Sequence, residues 1–87
     1  MPHYKETRLS ENVFIREFES QVDYPWHRDK EDRKVEVLSC GENWYFQLDN
    51  CLPFKLEKGR QISISKQEFH RLISGNETLV VKVTKIV

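Results

Sequence analysis

No stretch of this 87-residue chain is apolar and long enough to span a bilayer, and its first residues, Met-Pro-His-Tyr-Lys-Glu, lack the apolar core of a secretory leader. Both absences lead us to expect a cytoplasmic protein with no membrane partner. A surplus of either charge is missing too. Lys and Arg number 14 and Asp and Glu number 14, so no global field gathers nucleic acid or an anionic surface. Cysteine is scarce. Cys40 and Cys51 match no metal-ligand spacing such as Cys-x-x-Cys, and in a cytosolic chain they are expected to be reduced thiols, although they flank one candidate hairpin. Helical periodicity is also missing, since no window carries apolar residues at that spacing between caps. The length supports one small domain.

What is present is a series of short alternating segments. Residues 1–11 are polar and unpatterned and read as an irregular N-terminal arm, leaving residues 12–87 as the domain. Asn12 to Phe18, with Val-Phe-Ile-Arg-Glu-Phe, is β-branched and aromatic and suits a strand. Pro25 interrupts regular pairing, so the segment entering His27 is expected to be short or at an edge. Lys34 to Leu38 alternates, and Cys40-Gly41-Glu42-Asn43 supplies turn residues. Trp44 to Leu48 follows, with Trp44, Phe46 and Leu48 on one face and Tyr45 and Gln47 on the other. Leu52–Leu56, Gln61–Ile64, Phe69–Ile73 and Thr78–Val87 complete the pattern. About eight short strands separated by turns predict an all-β, single-domain antiparallel barrel or jelly roll.

The densest chemistry lies in Tyr24 to Arg33. His27 and Asp29 stand two positions apart, so in an extended segment the imidazole and the carboxylate leave on the same side. His70, in Glu-Phe-His-Arg-Leu-Ile, is the other histidine beyond the first few residues, and it is expected opposite Phe69, Arg71 and Ile73. Two histidines and one carboxylate on a β scaffold make the facial triad that holds non-haem iron(II) with coordination positions open. The simpler alternative is that His27 and Asp29 fall on a polar loop and His70 is an ordinary half-buried histidine.

The pattern resembles the cupins, small double-stranded β-helix barrels with two motifs, Gly-x5-His-x-His-x3,4-Glu-x6-Gly and Gly-x5-Pro-x-Gly-x2-His-x3-Asn. Gly59 and His70 are eleven positions apart, the spacing of the second motif, with Ser65, Gln67 and Ser74 at its proline, glycine and asparagine positions. In the first motif His27 matches the first histidine. Asp29 stands for the second histidine, Lys34 for the glutamate, and Gly41 closes the motif. The resemblance runs from Pro25 to the C-terminus. It implies a minimal cupin-like barrel whose metal ligands are His27, Asp29 and His70, the ligand set of iron(II) oxygenases. Some of those use 2-oxoglutarate as cosubstrate.

Other residues carry two readings. Arg33 and Arg71 suit the carboxylate of a small organic ligand, with Gln47 at the barrel mouth, or they pair with Asp29 or Asp32 and orient the site. Arg33, Arg71 and Glu36 are the nearby residues for supporting the ligands. Glu31 and Asp32 are expected to be solvated. Trp44, Tyr45 and Phe46 are either core or a stacking platform for bases, and in so small a domain the core reading is preferred. Three functions follow: a metal-binding small cupin, iron(II)-dependent and oxygenase-like, acting on a small molecule; a ligand- or partner-binding module with a vestigial site; and, least favoured, a nucleic-acid-binding barrel. A homodimer is compatible with each.

Overall fold

The computed structural model describes residues 3–87 and contains eight strands: β1 (Tyr4–Arg8), β2 (Val13–Phe18), β3 (Asp32–Ser39), β4 (Tyr45–Leu48), β5 (Phe54–Lys55), β6 (Gln61–Ile64), β7 (His70–Ile73) and β8 (Leu79–Ile86). Alternation decides which face each one buries. On β8, Leu79, Val81 and Val83 point inward and Val80, Lys82 and Thr84 outward; on β6, Ile62 and Ile64 are buried while Gln61 and Ser63 are exposed. All pairings are antiparallel. The larger sheet runs β1-β2-β8-β3-β6 and the smaller runs β5-β4-β7.

The core lies between the two sheets. Phe14, Val37, Ile62, Ile64, Leu79, Val81 and Val83 come from the larger, and Phe46, with Trp44 just ahead of β4, from the smaller. Trp44 is 0% exposed, and its indole nitrogen donates to the Glu77 carbonyl at 2.6 Å. A side chain so enclosed cannot stack on bases, which removes the platform reading of Trp44-Tyr45-Phe46. Cys40 is buried with Sγ 3.6 Å from the Leu56 carbonyl oxygen, Cys51 is exposed, and both are free thiols. Among the described residues no helix is long and apolar enough to cross a membrane.

One local expectation needs correction. The lead-in through Glu11 is not all irregular: Tyr4 to Arg8 pairs with β2 from Tyr4↔Phe18 to Arg8↔Phe14. The open edge of β2 offers backbone groups that an otherwise polar strand can satisfy, and the Tyr4 ring packs 5.3 Å from Phe18. Met1 and Pro2 lie outside the described residues. The segment entering His27 is short as expected, a single antiparallel bridge between His27 and His70. Pro25, which has no N–H, precedes it.

Candidate metal centre

That bridge builds the site. The His27 N–H donates to the His70 carbonyl at 3.0 Å and the His70 N–H to the His27 carbonyl at 2.9 Å, which sets two residues remote in sequence directly opposite each other. Their rings lie 4.3 Å apart, edge to face. Asp29 joins them through its two-residue offset from His27. Its backbone is held by a bond from the Gln67 N–H to the Asp29 carbonyl, 2.8 Å long. Asp29 Oδ2 is 3.3 Å from His70 Nε2, and Oδ1 is 4.0 Å from His27 Nε2. One ligand atom from each of the three residues lies within 4.8 Å of the others.

Both imidazoles are oriented in the same way. His70 Nδ1 is 2.8 Å from the Glu68 carbonyl oxygen and His27 Nδ1 is 3.3 Å from that of Pro25, in each case two residues upstream. A proton on Nδ1 satisfies each carbonyl and turns the Nε2 lone pair toward Asp29. Two lone pairs and a carboxylate facing a common point require a proton or a cation among them. Metal–ligand bonds of about 2.1 Å place neighbouring ligand atoms roughly 3 to 4 Å apart, so these donors match a shared ion in type, and their span of up to 4.8 Å would draw in around it.

The environment tunes the charges. Burial alone would raise the Asp29 carboxyl, but the His70 hydrogen bond and the charges of Arg33, His70 and His27 outweigh it and hold it below its ordinary value. Burial lowers His27, and the neighbouring His70 and Arg16 act in the same direction, against the Pro25 carbonyl and Asp29. His70 is 4% exposed and stacks on Phe46 at 5.7 Å, so it is as much a core residue as a ligand. The half-buried Tyr24 lines the same cavity. Its hydroxyl reaches the Glu19 carbonyl at 2.7 Å, and burial beside the Glu19 charge pushes its pKa up to about 12.

The remaining predicted site residues divide. Arg33 lines the cavity, its Nη1 3.5 Å from Asp29 Oδ1 and its Nη2 2.8 Å from Glu31 Oε1. Arg71 and Gln47 do not. They sit on the opposite face of the smaller sheet, where Arg71 Nε donates to Gln47 Oε1 at 2.8 Å and the guanidinium covers the Trp26 ring at 4.9 Å. Alternation on β7 forces this, because Arg71 follows the inward-facing His70. Glu31 is taken up by Arg33, and Asp32 accepts the Lys66 N–H at 2.7 Å. Glu36 and Lys34 border the outer surface of the larger sheet.

Lys34 is therefore not the counterpart of the motif's glutamate. A spacing of three or four residues after Asp29 admits Arg33 or Lys34, and the inward face of β3 selects Arg33. Arg16 is the residue that sequence reasoning missed. It stands on the inner face of β2 opposite Val81 and lines the cavity. Its position between Phe14 and Phe18 in an alternating strand was the available signal.

No family model matches the chain, and no curated protein matches it. Solved structures do. A cupin domain from Bordetella pertussis is 20% identical with a TM-score of 0.67, covering 99% of this chain and 96% of that one. The DMSP lyase DddQ from Ruegeria pomeroyi has a TM-score of 0.83 at 13% identity over 98% of this chain and 47% of its own. HppE, in a cobalt(II) form with Tris buffer, has a TM-score of 0.79 at 11% identity over 99% of this chain and 55% of its own. The chain thus spans about half of the lyase and HppE chains. Likeness at these identities concerns architecture, and the chain has the cupin fold.

Proposed function

We propose, from the cupin fold as premise, that this chain holds a divalent transition metal on His27, Asp29 and His70 and acts there on a small molecule. The observation that carries the proposal is the convergence of two imidazole nitrogens and one carboxylate, with each imidazole's Nδ1 near a backbone carbonyl. Iron(II) is the first ion to test, because two histidines and one carboxylate with open positions form its oxygenase ligand set. A metal held here supplies Lewis-acid polarisation and, as iron(II), redox chemistry with dioxygen. The chain's own residues do the rest. Asp29 stays ionised, Arg33 fixes its orientation, and mostly apolar walls line the cavity beside them.

The cobalt(II) form of HppE supports metal binding on this architecture, while a shared fold does not carry over a reaction. A non-catalytic binding module is the second reading, favoured by Arg33, whose cation already partners Asp29. The cavity, about 80 Å³, gives no specific support to 2-oxoglutarate as cosubstrate. Metal analysis of protein purified without a histidine tag, followed by anaerobic iron(II) titration, tests the proposal. Stoichiometric metal that is lost in His27→Ala supports it. Protein that takes up no divalent ion refutes it.

A further inference from the structure

The inner face of the larger sheet concentrates cations around one ring. The guanidinium carbons of Arg16 and Arg33 lie 4.9 and 5.8 Å from the Phe14 ring centre, and Lys85 Nζ lies 5.5 Å from it. Their acidic neighbours are Glu6 on Arg16, and Asp29 and Glu31 on Arg33. Those three carboxylates balance the three cations. A divalent ion added to the site leaves two positive charges in excess, which an anionic ligand would reduce.

Arg16 is the group placed to receive that ligand. Its side chain is 18% exposed, its guanidinium lies 4.5 Å over the Tyr4 ring, and among the described residues its hydrogen bond is that of Nε to Glu6 at 2.9 Å. Among the described residues its two terminal nitrogens have no hydrogen-bond partner, and no side-chain nitrogen or oxygen there is both buried and unpartnered, so they open to solvent or to the cavity. Beyond Arg16 the walls are aliphatic, formed by Val81, Val83, Ile62 and Leu72 among others. The volume, about 80 Å³, is roughly half of a 150 Å³ cavity that admits benzene, enough for a tail of about three or four carbons.

We propose that the site takes a short-chain aliphatic monocarboxylate, its carboxylate between Arg16 and the His27–Asp29–His70 cluster and its tail against Val81 and Val83. The fork of a guanidinium matches a carboxylate in shape as well as charge. This inference rests on the metal-binding reading, and the test separates the two. Protein loaded with cobalt(II) is titrated with butyrate, hexanoate and butylammonium, followed by the visible spectrum of the ion and by amide chemical shifts along β8.

Butyrate binds, butylammonium does not, and hexanoate binds more weakly for want of space. Arg16→Met keeps its cobalt(II) but loses butyrate affinity by roughly ten- to a hundredfold, as for a hydrogen-bonded charge pair. Should that variant not fold, Arg16→Lys keeps the charge and loses the fork, and its affinity falls severalfold. Butyrate binding equally well to either folded variant overturns the inference, as does butylammonium competing with butyrate. If the wild type takes no cobalt(II), the metal reading fails, and butyrate shifts in the metal-free protein, present in the wild type and absent in Arg16→Met, decide the role of Arg16 separately.

Discussion

His27 and His70 exchange both of their backbone hydrogen bonds, at 3.0 and 2.9 Å, although they belong to distant parts of the chain. The bridge uses main-chain groups alone, so it survives replacement of either side chain, and the two imidazoles can be tested without dismantling the frame that pairs them.

The two histidines should nevertheless behave differently. His27→Ala, at an exposed position, is expected to abolish divalent-metal binding and leave the unfolding midpoint nearly unchanged. His70→Ala should abolish binding too, and also cost about 1–3 kcal/mol, because it removes a buried ring from Phe46 and leaves the Glu68 carbonyl and Asp29 without their partner. Chemical denaturation beside metal titration checks both. Equal stability of the two variants would contradict the burial of His70.

Exchanging the residues of β3 tests which one fills the glutamate position. Lys34→Glu, on the outer face, should leave metal affinity unchanged. Arg33→Glu places a second carboxylate beside Asp29 as a fourth ligand, so we expect metal-free protein to be destabilised by carboxylate repulsion and metal binding to tighten about tenfold. Calorimetric titration of both variants with the same ion measures the difference. A larger gain for Lys34→Glu would reverse the assignment.

Acid should weaken the fold through two groups. Asp29 lies below its ordinary value in the folded protein, so its contribution is complete above the unfolded carboxyl pKa and disappears as pH falls through the lower folded value. His27 is also lowered. The fold favours its neutral form, and stability begins to fall once pH drops below the ordinary histidine value of 6.5. Unfolding midpoints of the metal-free protein measured from pH 8 to pH 3 should decline first through His27 and then through Asp29. Asp29→Asn should flatten the lower step and His27→Ala the upper one.

Trp44→Ala is expected to unfold the domain or nearly so. Losing a fully buried aromatic costs about 3–5 kcal/mol, a large share of the roughly 5–15 kcal/mol that holds a domain together, and it also strands the Glu77 carbonyl. Loss of the cooperative transition in circular dichroism is the readout. An unchanged midpoint would contradict the packing of Trp44.

Sequence alone determined much of the architecture and the local half of the site. Period-two alternation is a property of neighbouring residues, so Leu79, Val81 and Val83 on β8, Ile62 and Ile64 on β6, and Trp44 and Phe46 declared their inward faces without any partner. The offset of His27 and Asp29, and the separation of Gly59 from His70, were legible for the same reason. Tertiary structure decided what depends on pairing and register. It turned Tyr4–Arg8 into an edge strand, because the stabilising partner is the open side of β2 and not any pattern in the segment itself. It chose Arg33 over Lys34, since a spacing ambiguous by one residue becomes definite only when β3 registers with β6 and β8. Alternation had already set Arg71 opposite His70 and Arg16 on the face of Phe14 and Phe18, and the packing of the sheets put the cavity between those faces. The closure of the sheets brought His70 beside His27, a contact between residues remote in sequence that no local periodicity can specify.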